Sequence, residues 1–355
     1  MQRNVTKRYV NNMKYKIGII GAFRLSGIPK GGQEVKTCII ANALEDIYGN
    51  IRRFDTWGKR NHLMLPLHLL WAVFTCSNII ILPAHKGLIV ESILLRWANI
   101  FFHRSLHYIV IGGWLPEHIK KHTIAANSLK HFHGIYVETN TMLKSIQELG
   151  FNNIYVLPNC KPINILKGNI SKTSSEPLQL VTFSRVTEKK GIADAVRAVQ
   201  QINSESKRLI YSLDIYGSID KEDEIWFDDL KKTFTSEITY KGYASYEKTE
   251  NILKEYFALL FPTHYMTEGI PGTIIDAYAA GIPVICSMWN NFPDVVEQGV
   301  TGYGYEFNQY SELINILKQI ADDPTLITKL KNNCLNKARE YQPHEALKPL
   351  LHNIF

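Results

Sequence analysis

The sequence predicts an α/β protein built from two parallel-sheet domains. Strands that end in Gly- and Pro-rich loops, each followed by a helical pattern, recur along the chain. The length, 355 residues, exceeds one typical domain and suits two. A polar segment without periodicity, Lys161–Pro177 (KPINILKGNISKTSSEP), separates the two runs of elements and reads as a linker.

Lys16–Ala22 (KIGIIGA) reads as the first strand. A loop rich in Gly, Ser and Pro follows, Phe23–Gly31, and Gly31-Gly32-Gln33-Glu34 opens a helix over Val35–Leu44. Paired glycines let a loop backbone come close to a ligand. G-x-G-x-x-G is absent, so this is not a dinucleotide fingerprint. The apolar run Leu63–Pro83 is broken by His68, by Ser77-Asn78 and by Pro66, which argues against a membrane span; a buried helix followed by a strand over Ile79–Leu82 is expected. That strand ends at Pro83-Ala84-His85, and the next, Tyr108–Ile111, ends at Gly112-Gly113-Trp114. The carboxyl ends of such strands are where open α/β sheets bind ligands, so His85 is a candidate contact as well as an ordinary structural histidine. Gly134–Glu138 is a strand, Asn140–Leu149 a helix, and Asn153–Leu157 the last strand of this half, ending at Pro158-Asn159.

The second half restarts with a strand, Leu178–Phe183, which runs into Ser184–Gly191 and a helix over Ile192–Gln201. Arg185 and Lys190 lie five positions apart on that strand–helix loop and can face one anion, the first as a planar fork and the second as a point charge. Ser212–Tyr216 and Ile238–Lys241 are further strands, the latter leading to Gly242-Tyr243; Lys221–Glu224 reads as a solvated acidic loop. Phe257–Phe261 is a short buried strand that ends at Pro262. Its loop, Thr263–Gly272, is broken by Gly269, Pro271 and Gly272. Thr273 is the expected N-cap of a short helix, Ile274–Ala280, closed by Gly281 and Pro283 before a strand over Val284–Cys286. Free backbone N–H groups at that helix tip suit a diphosphate. Glu268 lies in the loop and Asp276 eight positions on in the helix, placing hydroxyl-accepting carboxylates on both sides of such an anion. The tail, Ser311–Gln342, reads as a helical pair.

Composition is that of a soluble globular protein, 45% apolar and 21% charged. The five cysteines are scattered and without metal spacing, as expected of reduced thiols in a cytoplasmic protein, and no secretory signal opens the chain. Residues 1–160 hold 19 Lys and Arg against 8 acids, a net of +11, while the remainder is acidic enough to bring the whole to +7. A basic amino-terminal half can meet a phosphate-bearing acceptor or the inner face of an anionic membrane, or be a solvated surface without a partner.

The stretch EGIPGTIID-AYAAGIPVI from Glu268 resembles the carboxyl-terminal signature of retaining glycosyltransferases of the GT-B fold, the group of glycogen synthases and of lipopolysaccharide and capsule glycosyltransferases. That signature is a Glu, seven residues, a second Glu, then Ala-x-x-x-Gly-x-Pro-Val. Asp276 replaces the second Glu, one methylene shorter. Arg185 followed by Lys190-Gly191, Gly31-Gly32 at the first strand–helix junction, and Pro158-Asn159 at the domain hand-over also resemble the family. The resemblance implies two Rossmann-like domains facing across a cleft: residues 1–160 for the acceptor, a linker over 161–177, residues 178–335 for the nucleotide sugar, and a C-terminal helix, 336–355, packing back on the first domain.

It implies transfer of a sugar from a UDP- or GDP-sugar to a hydroxyl of a glycan or lipid-linked acceptor, with the anomeric configuration kept, in cell-surface polysaccharide or lipopolysaccharide synthesis. Arg185 and Lys190 would grip the diphosphate, with Gly31, Gly32 and the loop residues Gly269, Ile270, Pro271, Gly272 and Thr273 around it. Glu268 would hold the donor sugar, Asp276 the ribose, and Gly242 and Tyr243 would lie near the base. The family's histidine has no match after Tyr108–Ile111, where Gly113 and Trp114 stand, so His85 is its nearest substitute. No cofactor is expected and, with Asp-x-Asp absent and cations in its place, no metal. Two other readings stand beside this one. One is a sugar-nucleotide epimerase or hydrolase on the same architecture, which would turn over donor without acceptor. The other is a non-catalytic anion-binding protein. The aromatics read as core-directed and no nucleic-acid motif occurs, so nucleic acid is not an expected partner.

Overall fold

The structure of the protein is a computed structural model that describes residues 14–25, 27, 31–58, 61, 63–166, 175–244 and 249–354. Parts of the first glycine loop (26 and 28–30) and of the linker (167–174) lie outside the described residues. The chain divides into two compact units, Met1–Pro162 with Pro343–Phe355, and Ile163–Gln342.

The first unit holds strands β1 (Tyr15–Gly21), β2 (Ile51–Asp55), β3 (Cys76–Leu82), β4 (Ser105–Ile109), β5 (Gly134–Val137) and β6 (Ile154–Val156). They form one parallel sheet in the order β2-β1-β3-β4-β5-β6. Its helices are α1 (Gly32–Tyr48), α2 (Leu65–Thr75), α3 (His85–Phe102), α4 (Leu115–Lys121), α5 (Thr123–Leu129) and α6 (Asn140–Gln147). All seven residues of β3 are buried, as a central parallel strand covered on both faces requires.

The apolar run after Leu63 differs from expectation. Its helix is α2, with Pro66 in the first turn where a missing N–H costs nothing, and its strand begins earlier, at Cys76. The helix is not buried all round. Leu65, Leu69, Ala72 and Val73 face the core, while Leu67, Leu70, Trp71 and Phe74 are exposed. Strand β2, IRRFD, escapes sequence reading because it is a short edge strand carrying two arginines.

The second unit holds β7 (Leu178–Phe183), β8 (Tyr211–Tyr216), β9 (Ile238–Gly242), β10 (Ala258–Phe261), β11 (Val284–Ser287) and β12 (Gly302–Tyr305), all parallel, in the order β12-β11-β10-β7-β8-β9. The helices are α7 (Ile192–Ser206), α8 (Glu224–Lys231), α9 (Thr249–Leu253), α10 (Gly272–Ala279), α11 (Phe292–Val295), α12 (Tyr310–Asp322), α13 (Thr325–Thr328) and α14 (Lys331–Ala338). Helix α7 shows why this half reads clearly: Ile192, Ala195, Val196, Val199 and Ile202 recur at helical spacing and all are buried.

Both units are Rossmann-like. The unit's first strand lies inside each sheet, and the strand order reverses beside it, between β1 and β3 in one and between β7 and β10 in the other. Ligands of open α/β sheets bind outside the carboxyl ends of the strands at such a reversal. The chain's end, α15 (Pro343–Ala346) and α16 (Lys348–Asn353), belongs to the first unit. Ala346, Leu347 and Leu350 share a core with Ile17, Tyr136 and Leu157, and the Asn353 amide donates to the Tyr136 hydroxyl at 3.1 Å. Residues 336–342 stay with the second unit, because Ala338 and Tyr341 pack into the core that holds Tyr278 and Ala279.

Candidate functional site

The strand reversal of the second unit sets two loops side by side. Strands β7 and β10 pair through Ala258 with Leu180 and Leu259 with Val181, so their carboxyl ends lie together. The loop after β7 closes in a single 3-10 turn, Glu188–Lys190, and Gly191 then takes the left-handed conformation at φ +70°. A Cβ on Gly191 would sit 1.8 Å from the Pro262 carbonyl oxygen, so glycine here is what lets the two loops touch. The His264 amide donates to the Lys189 carbonyl at 2.8 Å and fastens them.

Across this junction the Lys190 ammonium meets the Glu268 carboxylate. Their side chains are 14% and 16% exposed. The Thr263 hydroxyl donates to the same carboxylate oxygen at 3.3 Å. The Lys190 ammonium also lies 5.2 Å from the ring centroids of Phe261 and Tyr265, which lower the cost of holding a cation out of water. The backbone of the loop is held from β11 and beyond. Ser287 Oγ donates to the Thr263 carbonyl at 2.5 Å, Asn291 Nδ2 to the Glu268 carbonyl at 2.6 Å, and Trp289 Nε1 to the Gly269 carbonyl at 3.3 Å. The His264 ring bridges Asp194 at 3.0 Å and Asn308 at 2.8 Å. None of these supports is legible in the sequence as part of the site, since each lies twenty or more residues from its partner, except Thr263, whose polar place in the loop is the available signal.

Helix α10 begins two residues earlier than expected. Pro271 is its N-cap and Gly272 its first residue, with no side-chain cap, so Thr273 is not the cap. Its hydroxyl is buried without a hydrogen-bond partner among the described residues. Gly269, Ile270 and Pro271 are buried and Gly272 and Thr273 half-buried at the helix tip. Asp276, in the second turn, is only 4% exposed. The structure thus joins Lys190, Glu268 and the tip of α10 in one place. Arg185 is turned elsewhere. Its guanidinium is 61% exposed and pairs with Asp220, after β8, at 3.2 Å. Gly242 and Tyr243 close β9, two strands from β7; Gly242 has φ +78° and Tyr243 is exposed. Asp220, Glu222 and Asp223 bring carboxylate oxygens within 4.8 Å of one another, the one grouping among the described residues with the spacing of a metal site.

The first unit's reversal carries the other predicted residues. Gly31 caps α1 and Gly32 starts it, and among the described residues a Cβ on Gly32 would meet nothing within 4 Å. Gln33 ties it to the end of β3 through the Leu82 carbonyl at 2.9 Å. Asp55 orders the preceding loop by accepting from the amides of Phe23, Arg24, Leu25 and Trp57 at 2.9–3.3 Å. Below, Lys36 and Glu138 form a buried pair at 2.7 Å, and Glu138 also accepts from the Gly112 amide at 3.0 Å. His85, first residue of α3, stacks on Trp114 with centroids 3.9 Å apart, so the two loops compared in the sequence are in contact.

Residues 167–341 match the family model Glycosyl transferases group 1. Among curated relatives, a putative colanic acid biosynthesis glycosyltransferase, WcaL of Salmonella typhimurium, is 24% identical over 192 residues, covering 52% of this chain and 47% of the relative. A UDP-Gal:alpha-D-GlcNAc-diphosphoundecaprenol alpha-1,3-galactosyltransferase of Escherichia coli is 33% identical over 87 residues, 24% of this chain and 22% of the relative. The chain spans about half or less of the length of these relatives. Among solved structures, HepE of Anabaena in complex with UDP superposes with a TM-score of 0.73 at 17% identity, over 95% of this chain and 98% of that one, a likeness of fold.

Proposed function

We propose, from the match of residues 167–341 to the model of the group 1 glycosyl transferases, that the protein moves a sugar from a nucleotide-diphosphate sugar to a hydroxyl of a glycan or lipid-linked acceptor, with the anomeric configuration kept. The observation that carries the reading is the Lys190–Glu268 pair at the β7/β10 reversal, beside the tip of α10. An ammonium has three donors, so Lys190 can keep Glu268 and still give a hydrogen bond to a phosphate oxygen. Glu268, fixed by Thr263 and Asn291, then presents its carboxylate to the donor sugar.

In the reaction the bond from the anomeric carbon to the β-phosphate oxygen breaks, and the acceptor oxygen bonds to that carbon from the same face. The acceptor proton passes to the departing diphosphate. Negative charge grows on the diphosphate as the sugar gains oxocarbenium character. Lys190, Arg185 once released from Asp220, and the backbone N–H groups of Gly269, Ile270, Gly272 and Thr273 oppose that charge, each preorganised donor contributing on the order of 3 kcal/mol. The same cations supply the counter-charge a divalent ion would, so turnover should persist in chelator. Asp276 is assigned to the ribose and Gly242 and Tyr243 to the neighbourhood of the base. The names of the relatives support polysaccharide synthesis, and the Escherichia coli relative supports a UDP-sugar donor and a lipid diphosphate acceptor.

The test is a panel of UDP- and GDP-sugars. A true donor raises the melting temperature by mass action. The stabilising donor should then label a lipid-linked acceptor, with product and donor sharing one anomeric configuration. Donor breakdown that proceeds equally without acceptor would contradict transfer.

A further inference from the structure

We propose that the outer face of α2 and α3 docks on an anionic bilayer surface. On α2 the exposed apolar residues are Leu67, Leu70, Trp71 and Phe74, spaced three and four apart on one face. On α3 they are Val90, Leu94, Trp97, Ile100 and Phe101, again three and four apart. The two stripes are neighbours, for the rings of Phe74 and Phe102 meet edge-on with centroids 4.7 Å apart. Exposure is high at the far end, 65% for Trp97 and 81% for Phe101. Isolated exposed apolar side chains need no explanation, but two adjoining stripes form a contiguous patch of the kind that marks a docking surface. The opposite faces of these helices already fill the core, through Leu69 and Val73 on α2 and Leu88 and Leu95 on α3. Core packing therefore accounts for one face of each helix and not for the other.

Charge selects the partner. Between Thr56 and Pro116 the sequence holds five Lys and Arg and a single acid, Glu91, which is buried. Lys86 stands exposed in the first turn of α3, Arg96 adjoins Trp97, Arg104 follows the helix, and the Arg52 guanidinium lies 4.8 Å from the Trp71 ring centroid. An apolar face rimmed by aromatics and cations, with Asp55 beside Arg52 and Trp71 as an acid at its edge, fits an interface rich in anionic headgroups. A second copy would set like charges against each other. No described helix is long and apolar enough to cross a membrane, so the face would lie on the bilayer.

The test is cosedimentation of the whole protein with phosphatidylcholine vesicles, with and without phosphatidylglycerol. Partition should favour the anionic vesicles by about tenfold or more and fall with added salt. Trp97→Glu combined with Phe101→Glu should cut that partition at least about tenfold, and Arg96→Glu roughly fivefold. Both variants should keep the wild-type melting temperature and its rise with UDP, because these side chains lie outside the core and the donor site. That second readout separates the two proposals: loss of docking leaves donor binding intact. Three results would overturn the inference. They are wild-type protein that ignores anionic vesicles, variants that bind as well as wild type, and a wild-type dimer that the Trp97/Phe101 variant splits, which would make the stripes an interface between copies.

Discussion

Lys190→Ala and Glu268→Gln, made singly and together, probe the contact on which the donor site is built. With side chains 14% and 16% exposed, the pair is neither a surface ion pair nor a fully buried one. Exposed pairs contribute about 0–1 kcal/mol, and removing one partner of a fully buried pair costs about 3–5 kcal/mol. This pair falls between. Lys190→Ala leaves the Glu268 carboxylate with the Thr263 hydroxyl as its remaining side-chain donor, and about 2 kcal/mol of destabilisation is expected. Glu268→Gln keeps the shape and a neutral acceptor for Lys190, so about 1 kcal/mol is expected. Once either partner is gone the second substitution has less to remove, and the cycle should show about 1 kcal/mol of coupling. Guanidinium unfolding, with hydrogen exchange reporting the second unit separately, supplies the numbers. Additivity within about 0.5 kcal/mol would refute the reasoning, since groups that do not share a contact add to that accuracy.

Gly191→Ala should cost at least about 3 kcal/mol and lower the melting temperature of the second unit, because its φ is +70° and its Cβ would overlap the Pro262 carbonyl; an unshifted melt would contradict the loop contact. Burial holds the Glu91 carboxyl up at about 8, above its ordinary 4.5. The folded state therefore binds more protons than the unfolded one between those values, and its stability falls as pH rises through that window. Glu91→Gln should remove this slope from a series of melts, and a variant that parallels wild type across the window would contradict it. Asp220→Asn should leave UDP affinity equal or higher by freeing Arg185, whereas Arg185→Ala should weaken it about tenfold by calorimetry; weaker binding in Asp220→Asn would contradict the idea that Asp220 occupies the place of the anion.

How far the sequence reveals this molecule depends on how local each signal is. The second unit reads well because its strands are short apolar runs closed by Gly and Pro, and Lys190 and Glu268 sit on loops whose strands must be neighbours in a doubly wound sheet. The partner of Arg185 could not be read, since Asp220 joins it only through the pairing of β7 with β8. Lys36 and Glu138, 102 positions apart, meet only once the sheet brings the carboxyl ends of β4 and β5 to Lys36 on α1, so neither spacing nor composition points to the pair. Asp55 likewise gathers four amides from two loops, and its role is visible only once β1 and β2 are paired. Thr273 was misleading because a Thr before an apolar helix is ordinarily a cap, whereas Pro271 fixes the entry here. The apolar content of α2 reads as core, since periodicity cannot say which of two apolar faces has a partner.

The central claim is that a nucleoside diphosphate binds where Lys190 meets Glu268. Calorimetric titration of UDP into wild type and into folded Lys190→Ala tests it most directly. Saturable binding is expected in the wild type, weakened in the variant by about 1.5–3 kcal/mol, or roughly ten- to more than a hundredfold in Kd. Equal affinity in the two proteins would contradict the account.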